Sequence, residues 1–114
     1  MIKKENQCPL KEVKLQDGTL IKGVSYRTLA FGEMTMCTVM YYQKGAIVPL
    51  HKHYHEQVGY IVSGKVKVNF AGKESILEKG DSYSLEGNTE HQVEALEESE
   101  IIDIFTPVRK AYLD

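Results

Sequence analysis

The stretch 45–64, GAIVPLHKHYHEQVGYIVSG, decides how the rest of the chain is read. His51, His53, His55 and Gln57 stand at every second position. In an extended strand alternate side chains leave the same face, so this spacing can aim several nitrogen and oxygen donors at one point. The remaining histidine, His91, falls in a second strand-like segment further on. Two segments therefore hold all four histidines of the protein, which predicts one metal site assembled from two strands.

Outward from this stretch the chain reads as short strands separated by turn residues. Val24 to Leu29 and Thr35 to Tyr42 are rich in β-branched and aromatic residues and are parted by Gly32-Glu33. Pro49 predicts an edge or irregular strand after Lys44-Gly45. Val58 to Val62 follows, closed by Ser63-Gly64, and then KVKVNF (65–70) alternates apolar with polar. Ala71-Gly72, Lys79-Gly80-Asp81 and Gly87-Asn88 mark turns around Glu74 to Leu77 and Ser82 to Leu85. His91 to Leu96 and IIDIFTPV complete the series, and the acidic run EALEESE (94–100) is expected to be a solvated hairpin end. No window has convincing helical periodicity, which leaves an all-β sandwich or small barrel and excludes parallel α/β folds.

A chain of 114 residues is one domain, 1–114, with residues 1–22 as an N-terminal arm carrying one edge strand. Net charge is −2 and the lysines are scattered, so no nucleic-acid partner is expected. No apolar run reaches membrane-spanning length, so no membrane partner is expected either. The N-terminus MIKKENQCPL has no apolar core of a signal peptide. Cys8 and Cys37 lack C-x-x-C spacing and are expected as reduced thiols in a cytoplasm, Cys37 as a small core residue.

An isolated H-x-H matches by chance, but this pair has company. Gly45, five residues, His51-x-His53, three residues, Gln57, six residues and Gly64 follow the spacing of the first cupin motif. Of the second motif Gly80 and His91 are in place, while Glu86 stands where proline is usual, Asn88 where glycine is usual and Ala95 where asparagine is common. The chain thus resembles the small single-domain cupins over residues 40–106. The resemblance implies a jelly-roll barrel (a double-stranded β-helix) binding one divalent metal through His51, His53, Gln57 and His91. Zinc, nickel, iron, manganese and cobalt all suit such donors. His55 is not a ligand position of that pattern and is read as exposed or as a neighbour of the ligands. Small barrels of this kind commonly pair, so a homodimer is expected.

Gln57 stands where the family often has glutamate. An amide supplies an oxygen without a charge, so the ion would keep its full +2, which favours isomerisation or elimination over oxidation.

In IIDIFTPVRK, Ile101, Asp103 and Phe105 share one strand face. An acid among isoleucines is either exposed on an edge strand or turned into a cavity, and composition favours the exposed edge. The combination HxHxxEQ with Asp103-x-Phe105-x-x-x-Arg109 is similar to the pectin-degradation cupins, which convert 4,5-unsaturated uronates into linear keto-deoxyuronates. That resemblance implies Asp103, Phe105 and Arg109 as the catalytic surroundings of a small carboxylated, sugar-like substrate. A metal-dependent isomerase or lyase is the leading expectation. A metal-dependent dioxygenase and a non-catalytic small-molecule binder are the alternatives.

Overall fold

The alternating run KVKVNF forms a strand in which Val66 and Val68 turn inward and are buried almost completely. The same period of two governs most of the chain in the computed structural model, which describes residues 1–114. The strands are β1 (Lys11–Lys14), β2 (Leu20–Phe31), β3 (Met36–Tyr42), β4 (Ile47–His51) and β5 (Glu56–Ser63), then β6 (Lys65–Phe70), β7 (Lys73–Glu78), β8 (Ser82–Leu85), β9 (His91–Ala95) and β10 (Ser99–Thr106).

They build two antiparallel sheets. One has six strands in the order β1-β2-β3-β10-β5-β8 and the other has four in the order β4-β9-β6-β7. From β3 onward the chain changes sheet at nearly every connection, which is the jelly-roll arrangement expected from the sequence. The inward side chains of both sheets meet in one cluster of 19 buried residues, among them Met36, Ile61, Val66, Ile101 and Phe105. Burying each large apolar side chain contributes about 1.5–3 kcal/mol, so this layer holds the sheets together. No helix is long and apolar enough to cross a membrane.

At the N-terminal end β1 pairs with β2 alone and so forms an edge of the six-stranded sheet, while β2 already begins at Leu20. Ahead of β1, Arg27 donates through Nη1 to the carbonyls of Cys8 (2.7 Å) and Glu5 (3.2 Å), holding the arm against the sheet.

Three expectations need correction. β10 is no edge strand: it lies between β3 and β5, because strand order across a jelly roll does not follow chain order. Asp103 is therefore buried, at 2% exposure. Cys37 is on the outward face of β3, half-buried opposite Ile104, because Met36, Thr38 and Met40 take the inward parity. The acidic run is only partly a solvated end, since Ala95 and Ser99 within it are buried and the Ser99 hydroxyl accepts from the Lys65 backbone N–H at 3.1 Å.

The β6–β7 hairpin turns on two residues, Ala71 (φ 49) and Gly72 (φ 82), both in the left-handed region that a type I′ turn requires. Glycine adopts that conformation freely, whereas alanine pays about 1–2 kcal/mol there. Asparagine tolerates it better, so Ala71→Asn is expected to stabilise the protein by about 0.5–1 kcal/mol in reversible denaturant unfolding.

Candidate metal centre and its cavity

The histidines converge by way of an irregularity in β4. Val48 pairs with Val93 and His51 pairs with His91, so β4 uses one more residue than β9 between these points. That bulge, at Pro49-Leu50, turns His51 toward the interior beside His91, with ring centroids 4.2 Å apart. His53 comes from the loop after β4, where its carbonyl accepts the Asn88 backbone N–H at 2.7 Å. This bond ties the His53 loop to the turn that leads into His91. Asn88 has φ 63, so it performs the left-handed turn for which the motif ordinarily uses glycine.

The ligating atoms of His51, His53 and His91 all lie within 4.8 Å of one another. Gln57 reaches the same point from β5 in the opposite sheet, its Oε1 lying 3.0 Å from His53 Nε2. The four residues therefore do not share one extended strand, as their spacing had suggested. The chain bends between Lys52 and His55 and changes sheet, and His55 is outside the three-histidine cluster. What brings residues 51, 53 and 57 together is this bend and change of sheet, not the alternation of one strand.

His51 and His91 each donate Nδ1–H to a carbonyl two residues back, Pro49 and Thr89, both at 2.8 Å. This fixes the tautomer and leaves each Nε2 as a free lone pair, the arrangement that metal-binding histidines ordinarily have. Burial lowers the pKa of all three rings, to about 3 at His53 and about 4 at His91, with the Arg109 charge adding to the effect. They are neutral at physiological pH and ready to donate. A cation between His53 Nε2 and Gln57 Oε1 would take the place of the proton they now share, so the donor set fits a divalent ion.

Behind Gln57 lies a buried polar network. Gln57 Nε2 donates to the Tyr83 hydroxyl (3.2 Å), and that hydroxyl donates to Asp103 Oδ1 (2.5 Å). Asp103, Gly59 and Tyr83 form one row across β10, β5 and β8. Tyr83 reaches over Gly59 to Asp103, and a Cβ at residue 59 would lie 2.2 Å from the Tyr83 ring. Burial raises the Asp103 pKa to about 6, with the Tyr83 hydrogen bond, the nearby Gln57 amide and the Arg109 charge pulling it back. Tyr83 was not singled out from the sequence. Its only trace there was Gly59, since a glycine inside a strand marks the close approach of another group.

His51, His53, His91, Gln57 and Asp103 line a cavity of about 610 Å³ together with Phe105 and Arg109, while Tyr83 lies behind its wall. Phe105 is buried, its ring 5.7 Å from that of His53. Arg109 follows β10, its guanidinium carbon 4.2 Å from the centre of the Tyr112 ring and 5.1 Å from that of Phe105. Tyr112 is held in turn by the Tyr26 ring at 4.3 Å and by the Lys11 ammonium, which donates to its carbonyl at 2.6 Å. Arg109 takes part in none of the protein's ion pairs. The cavity thus presents three neutral imidazoles, a buried carboxylate and an uncommitted guanidinium.

The model of the cupin domain family matches residues 38–105, and the chain belongs to that family. It is 36% identical over 93 residues to the pectin degradation protein KdgF of Dickeya dadantii, spanning 80% of this chain and 84% of that protein. Among solved structures, KdgF from Halomonas sp. superposes with a TM-score of 0.87 at 27% identity, covering 99% of this chain and 98% of the other. An RmlC-like cupin from Shewanella frigidimarina superposes with a TM-score of 0.84 at 26% identity, over 99% and 100% of the two chains.

Removing single histidines tests the site. His51→Ala and His91→Ala proteins are expected to lose bound metal in elemental analysis, while His55→Ala retains it. Equal loss in all three would show that the ligand set is wrong.

Proposed function

We propose that the protein is a metal-dependent isomerase or lyase acting on a small carboxylated, sugar-like substrate, specifically one that converts a 4,5-unsaturated uronate to its linear keto form. The observation that carries this reading is the presence, in one cavity, of a three-histidine cluster, the Asp103 carboxylate and the unpaired Arg109 guanidinium. The likeness to proteins named for pectin degradation supports it.

When bound by His51, His53, His91 and Gln57, a divalent ion would supply Lewis acidity toward a substrate oxygen. Arg109 holds the uronate carboxylate, where its planar fork can make a bidentate pair. Phe105 provides an apolar wall beside the sugar and buttresses both Arg109 and His53. Opening the ring hemiacetal yields an aldehyde and an enol, and the enol becomes a ketone by losing its hydroxyl proton while the adjacent carbon gains one. Nothing is added or removed, so the change is an isomerisation. Asp103, with its pKa raised to about 6, can exchange that proton near neutral pH. Burial beside Tyr83 and Gln57 keeps the carboxylate fixed while it does so.

The decisive experiment offers unsaturated uronates to anaerobically purified protein and follows the loss of double-bond absorbance. Activity without oxygen, and with zinc or nickel in place of iron, is expected; a requirement for oxygen would point to a dioxygenase. Asp103→Asn should lower turnover by about 100-fold or more while ligand binding persists. A protein that binds the uronate and never turns it over would instead be a sensor.

A further inference from the structure

We propose that Tyr83 is a positioning residue for the metal centre. Its hydroxyl orients the Gln57 amide so that the carbonyl oxygen, and not the NH₂ group, faces the three histidines. The inference rests on the metal-binding reading above and extends it to a residue on a different strand.

A glutamine side chain has two ends of nearly the same size, and only one can ligate a cation. Turned the wrong way, its N–H groups would point at the ion. In the metal-free protein the proton on His53 Nε2 also selects the carbonyl. A ligating histidine gives that proton up, and the histidine side then cannot hold the choice. With Nε2 of His53 deprotonated, as a ligand must be, that nitrogen becomes an acceptor and would attract the NH₂ end. The choice must come from behind. There the Tyr83 hydroxyl has one proton, and a carboxylate can only accept, so the proton goes to Asp103 Oδ1 at 2.5 Å. What Tyr83 then presents to Gln57 is an oxygen with lone pairs and no hydrogen. Only the amide NH₂ can satisfy it, which it does at 3.2 Å. The carbonyl is thereby directed to His53 Nε2, 3.0 Å away.

The backbone is arranged to permit this relay. Tyr83 is two strands from Asp103, and its ring covers the distance only because residue 59, between them, has no side chain. The same logic explains an amide at position 57. A carboxylate there would offer Tyr83 no hydrogen, and two carboxylates would compete for its single proton.

The test uses the full chain and Co²⁺ as the probe, with affinity measured by chelator competition and coordination read from the visible bands of the bound ion. Unfolding of the metal-free proteins is measured alongside. Tyr83→Phe keeps the ring and removes the hydroxyl, and it is expected to weaken Co²⁺ binding about tenfold and to alter the bands. In a Gln57→Leu background the same change should shift affinity by less than about twofold, because there is no amide left to orient. Gly59→Ala, which keeps the hydroxyl on Tyr83 but pushes the ring and its hydroxyl away from Gln57, should weaken binding as Tyr83→Phe does; it carries the test if Tyr83→Phe does not fold. Equal losses with and without Gln57 would reduce Tyr83 to a structural residue and overturn the proposal. So would unchanged affinity in Tyr83→Phe, or in Gly59→Ala. Failure of the wild-type protein to bind Co²⁺ at all would instead overturn the metal reading itself, and this inference with it.

Discussion

A carboxylate buried in the middle of a sheet is the constraint around which this protein is arranged. Asp103 lies on β10, with β3 on one side and β5 on the other, and almost none of it meets solvent. Removing a carboxylate from water is costly unless donors replace the lost hydration. The Tyr83 hydroxyl and the Arg109 charge supply that replacement, and each imposes a demand of its own. Tyr83 needs a glycine beneath its ring. Arg109 needs the tail after β10 to fold back, which the packing of Tyr112 against Tyr26 and Phe105 secures. The polar interior and the shape of the cavity are thus two aspects of one requirement.

The electrostatic character of the cavity follows from the same arrangement. Burial keeps the histidines uncharged, so the cluster is a set of lone pairs with no net charge. Arg109 lacks an ion-pair partner within the protein, so an anion entering the cavity meets a cation whose binding capacity is unspent. A guanidinium lying against two aromatic rings is also restrained in position, which suits recognition of a carboxylate.

Much of the fold was legible because period-two alternation and turn residues are local signals. KVKVNF gave a strand with its inward face correct, and Pro49 marked β4, which is indeed an edge strand of its sheet. What local signals could not carry was the order of strands. Asp103 read as exposed on an edge because nothing in IIDIFTPV reports that β3 and β5 flank it. The histidines of the cluster were legible by motif spacing, but their geometry was not. A strand reading placed His51 through Gln57 on one face, whereas a bulge, a bend and a change of sheet bring the donors together. Tyr83 escaped notice for a simpler reason: on a short strand reading SYSL, an inward tyrosine resembles any other core aromatic.

His51 and His91 belong to the four-stranded sheet, while Gln57 belongs to the six-stranded one. An ion held by all three would rivet the two leaves of the sandwich at the rim. The leaves could not part there without straining the bonds to it. Binding of the ion and rigidity of the mouth would then reinforce one another, a held ion and a well-shaped chamber being achieved by the same bonds.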